Sequence, residues 1–218
     1  MGYCVNVSKQ STRTAPQRSR SDRKVRTRAQ IIEATIRCVA EHGVEGATVS
    51  AIVADAGVSR GLLGYHFGGK PALLIASFQA LADDYRRLLL MGQNGELRED
   101  VSLEESLPVI LRRALGGPGD YDDRAWLGFW GVAHSDADLQ RVNRELFDDV
   151  ASYLGGILAR IARHNGVVID PGRAGRSLSV TIEGAWLHLT VGTLGFTLDE
   201  AMALCEQHAR SLVTRAVE

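Results

Sequence analysis

The sequence is poor in cysteine and has no strand-like alternation of polar and apolar residues. Its three cysteines, Cys4, Cys38 and Cys205, are widely separated among 218 residues. This spacing excludes a disulfide framework and a cysteine-based metal site, and it is typical of the reducing cytosol. No secretory signal follows the first methionine. We therefore expect a cytoplasmic protein without a metal or another cofactor.

Long uncharged runs and catalytic motifs are also missing. The most apolar stretch, residues 177–198, is interrupted by Glu183 and His188, so no membrane span is predicted. The chain contains neither H-E-x-x-H nor G-x-S-x-G, and its six histidines are scattered. The sequence therefore predicts that the protein is not an enzyme.

Charge is distributed unevenly along the chain. The first 70 residues hold 11 basic and 5 acidic side chains, whereas the remainder holds 14 and 21. A basic end joined to an acidic body favours a polyanionic partner for the first third alone.

Helical periodicity dominates what is present, and the fold class predicted is all-α. Residues 1–25 are polar and basic and suggest a disordered arm, although an inert tail explains the same composition. Residues 26–70 predict a three-helix unit, and residues 71–218 predict a larger helical domain. Its helices are expected near 71–91, 103–115, 122–134, 136–164, 173–195 and 199–216.

Two short helices meet at a tight turn in "TVSAIVADAGVSRGLLGYHF". Thr48 and Ser59 are suitable N-caps, and Gly57 suits the left-handed residue that ends the first helix. The pattern predicts a helix-turn-helix whose second helix enters the DNA major groove. The candidate DNA contacts are Thr48, Ser59, Arg60, Gly61, Tyr65, His66 and Lys70.

Each residue type suits that role. Arg60 can contact guanine, Gly61 allows close approach, and helix starts such as that at Lys70 favour phosphate oxygens. An ordinary helical hairpin is the structural alternative. A nucleotide-binding loop at residues 64–70, G-x-x-x-x-G-K, is a third possibility. It lacks a preceding strand, and Pro71 stands where a metal-binding hydroxyl is needed.

Residues 28–75 resemble the DNA-binding domain of TetR-type repressors, in "AGVSRG" at the turn and "YHFGGK" before the fourth helix. Gly64 departs from the larger residue that many members carry. The resemblance implies an all-helical homodimer that binds a near-palindromic operator in double-stranded DNA. A small molecule in the C-terminal domain would release it.

Aromatic residues outside this unit suggest a ligand site. Trp126 and Trp130 are one helical turn apart with Phe129 between them, and Glu183 shares a helix face with Trp186. No lysine or arginine lies between residues 177 and 198, so a buried Glu183 needs another partner. Rings with one carboxylate suit a quaternary ammonium. Core packing of the tryptophans is the alternative, with Glu183 bonded to Arg124 or His188.

The stretches "RAWLGFWGVAH" and "IEGAWLHL" resemble those of BetI-type regulators, which control glycine-betaine synthesis and respond to choline. This resemblance implies a repressor of that pathway released by choline or a related amine. A TetR-type repressor of another pathway or efflux system, sensing a different molecule, is the alternative. A second alternative is an architectural DNA-binding protein that has no effector.

The last two helices are expected to form the dimer. Gly175 and Gly184 would permit close approach there, and Leu178, Ile182 and Leu204 would supply apolar contact. Packing within one subunit is the alternative for these residues.

Overall fold

The structure is a computed structural model that describes residues 20–90, 103–116, 122–192 and 195–214. Only α-helices occur as regular elements in these ranges, which confirms the all-α fold class. The helices are α1 (Arg20–Gly46), α2 (Val49–Ala56), α3 (Arg60–Phe67), α4 (Lys70–Leu90), α5 (Leu103–Leu115), α6 (Asp123–Ala133), α7 (Ala137–His164), α8 (Pro171–Thr190) and α9 (Leu198–Val213).

Helix α1 begins earlier than the sequence pattern indicated. It starts at Arg20, inside the arm predicted as disordered, and residues 1–19 lie outside the described part of the chain. Residues 20–26 are exposed, so they carry no apolar period to reveal the helix. They contain no proline or glycine, and Asp22 in the first turn complements the helix dipole. The helix that lies beside α3 is therefore longer at its start than the sequence pattern indicated.

The first three helices pack around a small apolar centre formed by Ile36, Val39, Ile52 and Leu63, each at most 2% exposed. Arg37 on α1 forms an ion pair with Asp55 on α2 at 2.8 Å. Helix α1 is long enough to reach beyond this centre and also packs against α4 and α6. The helix-turn-helix is therefore attached to the larger helical domain along a continuous core.

Helices α7 and α8 pack backbone to backbone. A Cβ atom added at Gly175 would lie 2.0 Å from the Ala151 carbonyl oxygen, so no other residue fits. Leu178 and Ile182 are also buried within the subunit. Gly175, Leu178 and Ile182 thus fill an intramolecular contact, whereas Gly184 and Leu204 remain exposed.

Helix α8 ends five residues before the position expected from its apolar run. Gly192 and Gly195 have φ angles of 66° and 63°, which belong to a turn. Thr197 then starts α9 with a capping box, in which Thr197 and Glu200 bond each other's backbone N–H groups.

Candidate nucleic-acid interface and buried aromatic pocket

The turn between α2 and α3 is built by side-chain caps and one glycine. Thr48 and Ser59 accept hydrogen bonds from the N–H groups of Ala51 and Leu62, both at 3.2 Å. Gly57 adopts φ 64°, ψ 34°, which the sequence pattern predicted for this turn. Leu63 is the buried residue of α3, so the opposite face of that helix is left to solvent.

The solvent-facing side of α3 carries Arg60, Gly61, Gly64 and Tyr65, and Tyr65 is 70% exposed. A Cβ atom at Gly64 would meet nothing within 4 Å, and one at Gly61 only the Ser59 hydroxyl at 3.9 Å. Internal packing therefore does not require either glycine. The guanidinium of Arg60 donates to the Ser50 hydroxyl of α2, which orients it on this face.

His66 and Lys70 are less exposed than the other candidate DNA contacts. His66 is half-buried, and its Nδ1 has no partner among the described residues. Lys70 Nζ donates to the carbonyl oxygens of Val44 at 2.7 Å and Glu45 at 3.4 Å. Its ammonium group is therefore bonded to the last turn of α1, after the kink at Gly43, a use that the sequence did not suggest.

Basic residues of α1 extend the positive surface around α3. Lys24 Nζ lies 5.4 Å from the centre of the Tyr65 ring, and the Arg28 guanidinium lies 4.7 Å from that of Phe67. Such cation–π contacts hold the first turns of α1 against α3. Exposed positive charge on both helices provides the long-range attraction that a phosphate backbone needs.

A second candidate site is a cavity of about 390 Å³, its open mouth included, inside the larger domain. Its lining is almost entirely apolar and contains one carboxylate. The lining residues are Tyr85, Ala114, Trp126, Trp130, Leu146, Phe147, Ile182, Glu183 and Trp186.

The rings around this cavity meet edge to face. Trp130 lies 6.3 Å from Trp126 and 5.2 Å from Trp186 between ring centres, and Tyr85 lies 5.8 Å from Trp126. The Trp186 Nε1 donates to Asp123 Oδ1 at 3.3 Å, which fixes the plane of that ring. The Nε1 atoms of Trp126 and Trp130 are buried and have no acceptor among the described residues.

Glu183 is the charged group of the cavity. Burial raises the pKa of Glu183 to about 7, although the Ser179 hydroxyl donates to its Oε1 at 2.8 Å and lowers it. Burial, and secondly the nearby Glu183 carboxylate, raise the pKa of Tyr85, so this phenol stays neutral. Arg124 is not the partner of Glu183, because it pairs with Asp122. The carboxylate is held in an environment where a bound cation would favour its charged form.

Four of the five predicted ligand-binding residues line this cavity: Trp126, Trp130, Glu183 and Trp186. Phe129 does not, because it is fully buried and stacks on Phe78 with 5.0 Å between ring centres. Sequence reasoning missed Tyr85 of α4 and Phe147 of α7. Tyr85 lies in "DDYRR". Because its neighbours are charged, the sequence pattern gives no sign that the Tyr85 side chain points into the interior.

Helix α6 joins the cavity to the helix-turn-helix unit. Trp126 and Trp130 face the cavity, and Gly128 between them contacts α1. A Cβ atom at Gly128 would lie 2.7 Å from Val39 Cγ1, so the two helices approach closely. At this contact α6 and α1 have no room to approach each other further.

A helix-turn-helix with an open α3 face, attached to a helical domain with an aromatic cavity, defines the class of ligand-regulated DNA-binding proteins. Residues 31–77 match the model of bacterial regulatory proteins of the tetR family. Residues 104–214 match the C-terminal domain of BetI-type transcriptional repressors. The chain belongs to the tetR family and, within it, carries the BetI-type C-terminal domain.

Similar proteins agree with this assignment over most of the chain. The HTH-type transcriptional regulator BetI 1 of Chromohalobacter salexigens is 27% identical over 199 residues, covering 87% of this chain and 91% of the relative. A regulator structure from Pseudomonas aeruginosa PAO1 is 29% identical with a TM-score of 0.73, covering 90% and 92% of the two chains. A regulator from Saccharomonospora viridis, solved in complex with choline, is 19% identical with a TM-score of 0.72, covering 88% and 100%.

The chain is thus a transcriptional regulator and not an enzyme, as the sequence predicted. No helix in the described ranges is both long enough and apolar enough to cross a bilayer.

Proposed function

We propose that the protein is a homodimeric repressor that leaves its operator when a quaternary ammonium compound such as choline enters the aromatic cavity. The observation that carries this proposal is one desolvated carboxylate, Glu183, among the rings of Tyr85, Trp126, Trp130 and Trp186. Each ring face that meets a cation contributes roughly 0.5–2 kcal/mol. The choline-bound relative supports the same ligand class through its fold.

The DNA surface in this proposal is the exposed face of α3 together with the helix starts around it. Arg60 and Tyr65 would contact base edges, and Gly61 would let the helix come close to them. Thr48, Ser59, His66 and the start of α4 at Lys70 would hold phosphates. With Lys70 Nζ bonded to α1, its contribution there is the backbone N–H at the helix start.

The dimer in this proposal forms through α8 and α9. Val180, Leu187 and Val191 are exposed along one side of α8, and Leu204 is exposed on α9. Two copies that bury these residues would place their α3 helices on successive major grooves of a near-palindromic operator, about 34 Å apart or a multiple of this spacing.

The coupling would pass through α6 and α4. Trp126 and Trp130 of α6 and Tyr85 of α4 line the cavity, α6 contacts α1 at Gly128, and Lys70 at the start of α4 is bonded to the end of α1. An effector that prefers a different position of these helices changes the spacing of the α3 pair. Coupling energies of this kind are typically 1–3 kcal/mol.

The regulated pathway in this proposal is glycine-betaine synthesis, controlled in the cytoplasm where the operator lies. Its support is the BetI-type C-terminal domain and the BetI names of similar proteins. Choline oxidation genes beside the gene for this chain would strengthen the assignment, and efflux genes in that place would favour the alternative regulon.

The test is release of an operator fragment from the full-length protein. Binding is followed by fluorescence anisotropy while choline, tetramethylammonium or uncharged 3,3-dimethylbutanol is added. We expect release by the two cations and none by the uncharged isostere. Glu183→Gln should weaken the response to both cations while leaving operator affinity intact. If the uncharged compound releases the operator equally well, the proposal that the cavity recognises a positive charge is wrong.

A further inference from the structure

A second and larger cavity lies beside the aromatic one and shares two of its walls. It has a volume of about 940 Å³, its wide mouth included, and it lies between the end of α6 and the first half of α7. Trp130 and Phe147 line both cavities, with 5.9 Å between their ring centres. This polar cleft is lined by Trp130, Ala133, His134, Gln140, Asn143, Arg144, Phe147 and Asp148. An extended ligand would therefore have to pass these two side chains to occupy both spaces.

The polar groups of the cleft are incompletely bonded. Asn143 Oδ1 and Trp130 Nε1 are buried without a partner in the described part of the chain. Arg144 takes part in no hydrogen bond or ion pair there either. Arg141, one turn earlier on α7, is bonded to both Asp138 and Glu145. Arg144 is exposed, and its guanidinium is therefore available to a ligand in the cleft.

The hydrogen-bonding chemistry of these groups favours an acceptor in the cleft. An indole N–H and a guanidinium can only donate, and an amide can donate once its oxygen and nitrogen are exchanged. Asp148 is the exception, because a carboxylate accepts hydrogen bonds, but its side chain is exposed to solvent. A buried donor that has no acceptor costs free energy, so an acceptor atom beside Trp130 Nε1 would be stabilising.

We propose that the cleft is a second subsite, which takes the anionic tail of an effector whose ammonium head lies in the aromatic cavity. The ligand class is a quaternary ammonium compound that also carries a carboxylate. Arg144 attracts the carboxylate, and Asn143 and Trp130 donate hydrogen bonds at the passage between the two spaces. This inference rests on the proposed function, because it extends the same effector site.

The experiment is calorimetric titration of the full-length protein with matched trimethylammonium compounds. Tetramethylammonium tests the head alone, and trimethylammonio-carboxylates with spacers of one to five carbons test head and tail together. We expect the affinity for the carboxylates to pass through a maximum with spacer length, because only one range of lengths bridges the two cavities.

Arg144→Gln isolates the contribution of the cleft. We expect it to weaken the best carboxylate ligand about threefold to fivefold, the upper range for an exposed ion pair, and to leave tetramethylammonium unchanged. Arg141→Gln, which removes the same charge from the same helix outside the cleft, should change neither ligand. Asp148→Asn should leave the carboxylate ligand bound at least as tightly as in the wild type.

The outcomes separate the two proposals. If tetramethylammonium binds but Arg144→Gln does not affect the carboxylates, the subsite is refuted and the aromatic cation site stands. A loss of carboxylate affinity in Asp148→Asn would also refute it, because removing a negative charge from the cleft cannot weaken an anion bound there by Arg144. If no ammonium compound binds, the proposed effector class and the subsite fail together. Equal thermal midpoints of the variants show that each is folded.

Discussion

Glu183 is the one carboxylate in the lining of the aromatic cavity. The sequence shows that it has no basic neighbour on its own helix, and the structure adds a hydroxyl donor, Ser179, and a wall of rings. Desolvation places its pKa at about 7, inside the range that a cell can experience. The protonation state of this residue would therefore control how strongly the proposed cation is held.

The affinity for a quaternary ammonium effector should increase with pH. Below pH 7 Glu183 is protonated, and a cation must displace that proton; above pH 7 the carboxylate is charged before binding. With a pKa of about 7 in the free protein, the dissociation constant should fall about tenfold between pH 6 and pH 8. Calorimetry at several pH values measures this, and Glu183→Gln should bind weakly with a flat profile. A wild-type profile as flat as that of the variant would contradict the prediction.

Gly61 should be required for operator binding and not for folding. A side chain at this position meets only ordinary contacts within the protein, so Gly61→Leu should leave the thermal midpoint unchanged or raise it. The same side chain would separate α3 from the base edges, and we expect operator affinity to fall by more than about tenfold, or 1.4 kcal/mol.

Gly156→Leu provides the matched control for this substitution. Gly156 is exposed on α7, a Cβ atom there meets nothing within 4 Å, and it lies far from α3 in the sequence. Both proteins are compared by anisotropy on the same operator fragment. Unchanged affinity in Gly61→Leu would show that α3 does not approach the bases at this residue.

At the scale of elements, α6 occupies the central position. One side carries two rings of the aromatic cavity, and the other side rests on α1 through Gly128. Because the interior is closely packed, α6 and α1 are expected to move together. The N-caps of α2 and α3 fix the position of the exposed α3 face. Helix α6 connects the helix-turn-helix to the cavity.

Gly128→Ala should destabilise the protein and change its response to effector. The added methyl group would lie 2.7 Å from Val39 Cγ1, and overpacking of this kind costs about 1–3 kcal/mol. Val39→Ala in the same chain removes the conflicting atom and should restore part of the loss. A double-mutant cycle by urea denaturation measures the interaction, and additive effects would show that the two helices do not meet there.

The whole molecule combines a basic N-terminal third with an acidic remainder, and exposed apolar residues lie on α8 and α9. In the proposed complex, net charge of opposite sign at the two ends would orient the protein with α3 towards the duplex. The exposed valines and leucines of α8 and α9 are the surface by which two copies would fix the spacing of the α3 pair.

Val180→Glu should separate the dimer without unfolding the subunit. Val180 is 67% exposed in the single chain, so the substitution has little effect there, but it would bury a charge between two copies. Sedimentation should show half the wild-type mass, and operator affinity should fall by more than about tenfold as bivalent contact is lost. Val168→Glu, at a residue 98% exposed in the loop before α8, is the control and should stay dimeric.

The sequence by itself determined the class of the fold, because helices, caps and turns are set by interactions between residues close together in the chain. Helical periodicity, the caps at Thr48 and Ser59 and the turn at Gly57 act between near neighbours, and all three appear in the structure where the pattern placed them. Four cavity residues, Trp126, Trp130, Glu183 and Trp186, were also found from spacing and charge alone.

Only the tertiary structure decided what depends on contacts between distant segments. It placed Phe129 in the core, brought Tyr85 and Phe147 to the cavity, bonded Lys70 to the end of α1, and turned Gly175 towards α7. It also showed that α1 begins at Arg20, since a solvated helix has no apolar period. Helical spacing fixes which residues share a face, but the partner of that face is set by how whole helices pack against one another.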